Sequence, residues 1–459
     1  MVDSVKKAIP YLLVAAVFLL LVNRSLLTRG MFSDGLVYAS IAANLAEGTC
    51  TPLHLSYTPL MIPEFYGHPP LMMLLQSLFF RLFGVSMAVA KVYCAVVALL
   101  SAWLIVRVWR RMGYGCESGW LPLMLWTLVP LVTHSANSNL LEATMLLFVL
   151  AAVCMMLRER REFLWHALAG VMLALAFLTK GPTGLFPLVL PLLLWAFGLK
   201  KHGFGRMALL TLVTTVCVAV PLLVVCLNGD AAEYMRQYLT VQVIGESGAK
   251  IVSRWYIVGR FFQQTVVVWI VVAAVLFIGH RRVAVLPLLK EKRMAWVMLA
   301  LTFCGVLPMM VSTKQREFYI LCTMPFFALS MAVLVEPYIS AYCIWVRSRA
   351  AGIVTVVLMV GAVAFNLYRA GTPGRDDVML NDMTVIMPEL ERGEWLGIPR
   401  NLYYEYSLPG YYYFEKRVVL DPSRRHHHLL TTAEYPVDST YRELPLPTEQ
   451  YHLYELQAE

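Results

Sequence analysis

The stretch EFLWHALAGVMLALAFLTKGPTGLFPLVLPLLLWAFGLK, Glu162 to Lys200, decides the fold. Two apolar runs, 163–179 and 182–199, flank the break Thr179-Lys180-Gly181-Pro182-Thr183-Gly184, and formal charge is confined to that break and to the two ends. Each run is long enough to cross about 30 Å of hydrocarbon as a helix. Ala, Leu and Val follow one another without the alternation of a barrel strand, and in lipid only helices or closed barrels satisfy the backbone. The reading is therefore a pair of transmembrane helices joined by a sharp polar turn.

Working outward, similar runs recur from the N-terminus to about residue 369, near 8–27, 85–106, 119–134, 139–157, 207–227, 263–280, 294–311, 316–335 and 351–369. With the first two they make about eleven spans. Composition agrees: 59% of residues are hydrophobic, only 15% are charged and the mean hydropathy is +0.65, where a soluble domain carries roughly 25% charged residues. The segment 8–27 follows Lys6 and Lys7 like a signal peptide but lacks a small-residue cleavage site, so it reads as a retained first helix. The nine cysteines show no metal-type spacing and read as small membrane hydrophobes. The net charge of +9 comes from Lys and Arg at helix ends, which points to topology rather than to nucleic acid.

Under the positive-inside rule, Arg107 to Arg111, Arg158 to Arg161, Lys200-Lys201, Arg281 to Arg293 and Arg347 to Arg349 share the cytoplasmic face with the N-terminus. That assignment requires Pro69 to Phe83, apolar but short, to lie in the interface as a juxtamembrane helix. The loop 28–84 is then extracytoplasmic, with Ser33 to Glu47 as a short amphipathic helix inside it. The expected fold is an all-α polytopic membrane protein, residues 1–370, followed at 371–459 by a small α/β extracytoplasmic domain with a turn at Leu408-Pro409-Gly410 and an extended stretch at Arg417 to Leu420. There is no Walker loop, dinucleotide fingerprint or fixed repeat, so energy must come from a substrate or a gradient.

This topology collects Asp34, Glu64, His68, His134, Asn137, Asn139, Glu142, Lys180, Lys314, Arg316 and Glu317 on the outer face, and ionisable groups at membrane depth are costly enough to indicate function. Each also has a plain structural role. Asp34 is either a first-turn acid favoured by the helix dipole or a general base. In Glu64-Phe65-Tyr66-Gly67-His68-Pro69-Pro70, His68 is an interfacial histidine bonded to backbone, a phosphate contact or, with Glu64, a divalent-metal ligand. Lys180, which has no nearby acid in sequence, either snorkels or meets a phosphate, and Ser312-Thr313-Lys314-Gln315-Arg316-Glu317 repeats that logic. Asn139 and Glu142 open a helix, where Glu142 is dipole-favoured or orients a hydroxyl. His426-His427-His428 reads as a solvated turn, because three adjacent imidazoles do not converge on one ion.

Taken in order, these loops resemble the type C membrane glycosyltransferases, specifically the bacterial branch related to dolichyl-phosphate-mannose protein mannosyltransferases and to the lipid A aminoarabinose transferase. Four matches carry the resemblance: Asp34 followed by Tyr38 and Ala39; Tyr66-Gly67-His68-Pro69-Pro70-Leu71; Leu178-Thr179-Lys180-Gly181-Pro182; and Lys314, Tyr319 and Pro325. The resemblance implies an inverting transfer of sugar from a polyprenyl-phosphate donor to an acceptor hydroxyl of protein Ser/Thr, lipid A or an envelope glycan, at the outer face of a bacterial inner membrane. It makes Asp34 the base, with Lys180, Lys314 and Arg316 stabilising the leaving phosphate, and Tyr38, Glu64, Tyr66, His68, Asn139, Glu142 and Tyr319 orienting substrate. No cofactor follows from it beyond the candidate metal at Glu64 and His68. One departure stands out: the family often reads Asp-Glu where this chain reads Asp34-Gly35. The alternative function is a transporter or flippase of polyprenyl-linked sugars, which should instead place its charges near the bilayer midplane.

Overall fold

The structure is a computed structural model that describes residues 2–22, 27–200, 203–240, 253–279, 291–312, 315–342 and 348–457. Among these, seven helices are long and apolar enough to cross a membrane: Met87–Arg111, Glu162–Lys180, Phe204–Cys226, Tyr256–Gly279, Arg293–Val311, Glu317–Ile339 and Arg349–Tyr368. Leu71–Phe83, Leu141–Met156 and Pro182–Ala196 are apolar but shorter. The chain is a multi-pass membrane protein with a small C-terminal sheet.

In chain order the first helices are α1 (Val2–Leu21), α2 (Ser33–Glu47), α3 (Leu71–Phe83), α4 (Met87–Arg111), α5 (Trp120–Thr127), α6 (Pro130–Ser135), α7 (Leu141–Met156), α8 (Glu162–Lys180), α9 (Leu190–Ala196), α10 (Phe204–Cys226), α11 (Gly229–Tyr238) and α12 (Tyr256–Gly279). Helix α7 packs against α8, α8 against α10, and α1 against Arg349–Tyr368. Proline and glycine account for the departures from the expected spans. The run 119–134 is split into α5 and α6 because Pro130 holds Val129 in extended conformation. In 182–199, Pro182 and Pro187 tighten the first half into a 3-10 helix before α9 begins. Helix α3 is only about 20 Å long at 1.5 Å per residue, and exposes Leu78, Leu82 and Phe83, as a helix in the interface does.

Helix α2 differs from the expectation of an amphipathic helix. Every residue from Gly35 to Leu45 is buried, because α3 lies on one side and the C-terminal helix Ser407–Lys416 on the other. Gly48, at φ +78°, ends α2 in the left-handed region and returns its N–H to the Asn44 carbonyl.

The C-terminal domain carries a five-stranded sheet: β1 (Trp395–Gly397), β2 (Val419–Asp421), β3 (His428–Thr432), β4 (Tyr441–Glu443) and β5 (Tyr451–Leu456), in the order β2-β1-β3-β5-β4. Strand β1 is parallel to both β2 and β3, while β3/β5 and β5/β4 are antiparallel. Leu408-Pro409-Gly410 is not a turn but the start of the helix Ser407–Lys416, where Pro409 costs no hydrogen bond in the first turn. Gly410 is required there: a Cβ would lie 1.8 Å from the Tyr57 hydroxyl, which donates to the Tyr406 carbonyl. The histidine run is not one solvated turn either. His426 is 17% exposed and faces Asp421, and His428, 12% exposed, faces Glu394; only His427 is open, beside Glu455.

Candidate active site

Asp34 sits half-buried in the first turn of α2, after Phe32, whose side chain makes no cap. Its position is set by the close approach of two backbones. A Cβ on Gly35 would lie 2.0 Å from the Ser138 carbonyl oxygen, so only glycine lets α2 touch the loop before α7. Asn139, at φ +53°, completes the joint: its amide donates to the Gly35 carbonyl at 2.9 Å and exchanges a reciprocal pair of bonds with the Gln76 amide on α3, at 2.9 and 3.1 Å. The second acid of the familiar Asp-Glu pair therefore has no room here. Glu64 is exposed, and its carboxylate accepts from the Tyr66 hydroxyl at 3.4 Å.

Behind Asp34 lies an ion pair that the sequence conceals. Lys180, at the C-terminal end of α8, reaches Glu142 in the first turn of α7, with side-chain exposures of 7% and 1%. Lys180 also lies over the Tyr319 ring at 4.4 Å and the Phe318 ring at 5.3 Å. Lys180 has no acid near it in sequence, yet Glu142, 38 residues away, is in contact with it in space. Burial, with the carboxylates of Asp34 and Glu142 close by, pushes the Tyr38 phenol well above its usual range, so it remains a neutral hydroxyl. Tyr38, Asp34, Glu142, Lys180 and Tyr319 accordingly form one electrostatic group.

The aromatic wall comes from the loop between α2 and α3 and from α11. The His68 ring stands edge-on to Tyr38 at 5.9 Å and tilted to Tyr238 at 6.5 Å. The Tyr234 hydroxyl donates to the carbonyls of Phe65 and His68, and Tyr66 packs on Tyr234 at 5.3 Å. The Tyr238 hydroxyl donates to the Lys180 carbonyl at 3.1 Å, and Gly181, at φ +84°, is the residue whose Cβ would strike it. Helix α11 is not among the elements expected from the sequence. Its signal was legible in Asn228, whose side chain accepts from the Ala231 N–H as an N-cap.

Of the remaining expected residues, Arg316 is exposed at the head of the 3-10 helix Glu317–Thr323, and Lys314 lies outside the described residues. Glu64 meets the Tyr66 hydroxyl, while the His68 ring packs on Tyr38 and Tyr238. Among the described residues the cluster close enough to hold an ion is His427, His428 and Glu455, in the C-terminal domain.

The fold is shared with solved structures of known membrane proteins. Residues 67–225 match the family model of the dolichyl-phosphate-mannose-protein mannosyltransferases; His68 and Lys180 lie inside the matched stretch and Asp34 lies outside it. The chain superposes on ArnT from Cupriavidus metallidurans bound to undecaprenyl phosphate with a TM-score of 0.62 at 14% identity, over 96% of each chain. The apo state of ArnT from Cupriavidus metallidurans gives 0.63 at 14% identity over 95% of each. The Archaeoglobus fulgidus oligosaccharyltransferase AglB, in complex with an inhibitory peptide and a dolichol-phosphate, gives 0.52 at 12% identity, over 92% of this chain and 69% of that one. No curated protein matches the sequence.

Proposed function

We propose that this chain is an inverting glycosyltransferase that moves a sugar from a polyprenyl-phosphate donor to an acceptor hydroxyl, of protein or of lipid A or another envelope glycan, on the outer face of a bacterial inner membrane. The observation that carries the reading is Asp34, held by the Gly35–Ser138 approach and the Asn139–Gln76 joint beside a buried Lys180–Glu142 pair and a neutral Tyr38. That ArnT binds undecaprenyl phosphate and AglB dolichol-phosphate supports a lipid-linked donor.

In this reading the Asp34 carboxylate takes the proton of the acceptor hydroxyl, whose oxygen forms the new bond at the anomeric carbon. The bond from that carbon to the phosphate oxygen breaks on the opposite face, and its electron pair leaves with the lipid phosphate. Arg316 and Lys314 counter the charge that develops there. Lys180, neutralised by Glu142, contributes through the orientation of its ammonium over Tyr319 rather than as an unpaired cation. Tyr38, Tyr66 and His68 wall the sugar.

The test is release of polyprenyl phosphate from a labelled polyprenyl-phosphate sugar by the purified protein, in detergent with an envelope extract as acceptor. Asp34→Asn preserves the size and polarity of the first-turn residue, so the expected result is turnover reduced by at least about a hundredfold with the fold intact. Full turnover in the variant would remove Asp34 as base. No turnover of any donor by the wild type would favour the transporter.

A further inference from the structure

Away from this site, a cleft of about 950 Å³ opens between the Met87 end of α4, residues 27–30 and the C-terminal domain. Its walls are mainly apolar, with Met87, Ala88 and Val92 on one side and Leu380 and Met383 on the other. Val92 is 51% exposed on the outside of the helix bundle, so the apolar wall continues into the surface that meets lipid. The other end of α4 carries Arg107, Arg110 and Arg111, which places the cleft at the opposite, outer interface.

Three cations rim this apolar space, Arg29, Lys91 and Lys416, against one carboxylate, Glu415. Lys91, buried, donates to the Thr28 carbonyl, and Lys416 donates to the carbonyls of Met387 and Leu390. Arg29 reaches the Thr384 hydroxyl at 2.5 Å and the Asn381 side chain at 3.1 Å, while its Nε is buried without a hydrogen-bond partner among the described residues. The acceptors of Arg29 and Lys416 are neutral and leave those two positive charges in place. A cationic rim above an apolar wall, at the level of the lipid headgroups, complements an anionic amphiphile.

We propose that the cleft seats an anionic glycerophospholipid of the outer leaflet, its phosphate among Arg29, Lys91 and Lys416 and its acyl chains along Ala88, Val92 and Ala95. Such a lipid would brace the approach to the active site. Gly30 and Tyr411 line the cleft, and the Tyr411 hydroxyl exchanges hydrogen bonds with the Met31 backbone, three residues before Asp34. The binding claim does not depend on sugar transfer.

The experiment is delipidation of the full-length protein in detergent, followed by native mass spectrometry after incubation with phosphatidylglycerol or phosphatidylcholine. The expected result is selective retention of phosphatidylglycerol, reduced about fivefold by Arg29→Gln or Lys416→Gln. Because both side chains also tie the domain together, two exposed positions provide the decisive variants. Ala88→Trp should block retention, and Glu415→Gln, which removes the opposing acid, should raise it. Equal retention of both lipids, retention undiminished in Ala88→Trp, or a fall in Glu415→Gln would each overturn the proposal.

Discussion

At the scale of single residues, the Lys180–Glu142 pair is the feature with the largest energetic consequence. Both groups are withdrawn from water, and a buried pair is costly to break because the surviving charge is left uncompensated. Lys180→Met or Glu142→Leu alone is expected to destabilise the protein by about 3–5 kcal/mol. The double variant should recover most of that loss, since two apolar residues replace two desolvated charges. Thermal unfolding in detergent across the four proteins checks this. Transfer activity should stay low in the double variant if the pair orients substrate, and would return with stability if the pair were structural alone. Asp34 shows the opposite case. Its type and place were plain in the sequence, whereas the reason that Gly35 follows it was not, because the Ser138 carbonyl that excludes a side chain lies a hundred residues further along the chain.

At the scale of elements, α2 is positioned by backbone contacts rather than by a stripe of apolar side chains. Its small residues Gly35, Ala39, Ala42 and Ala43 are all buried, which lets neighbours approach on every side. Gly35→Ala is therefore expected to push the start of α2 off the Asn139 loop, with a loss of at least about 2 kcal/mol from overpacking. It should also lower kcat far more than KM, because the shift moves the base and leaves the aromatic wall in place; steady-state kinetics beside an unfolding curve measures both. The same closeness explains why an amphipathic reading failed. A helix buried all round has no polar face, and its covering helix, Ser407–Lys416, comes from the far end of the chain. Helix α11 illustrates a signal that was present and weak: Asn228 caps it, but its polar composition, unlike an apolar span, does not require a helix.

At the scale of the molecule, residues 28–84 and the C-terminal domain share one core. Leu36, Tyr57, Phe80, Leu408, Tyr411 and Phe414 are packed in a single apolar cluster, and Arg417 adds an ion pair to Glu47 at 2.9 Å and a bond to Asn44. Removal of residues 371–459 is thus expected to unseat α2 and leave protein that aggregates, seen as loss of a monodisperse peak in size-exclusion chromatography; a stable truncated monomer would contradict the shared core. The sequence by itself determined that the chain lives in lipid and that its apolar runs are helices. Those properties follow from local composition and run length, because a bilayer imposes the same requirement on every segment that crosses it. Tertiary structure alone decided that Lys180 is neutralised by Glu142, that Asn139 and Gln76 lock Asp34 in place, and that Tyr238 closes on Gly181. Each of these joins groups remote in sequence through short hydrogen bonds or backbone contact, and no periodicity along the chain encodes which remote neighbour will arrive.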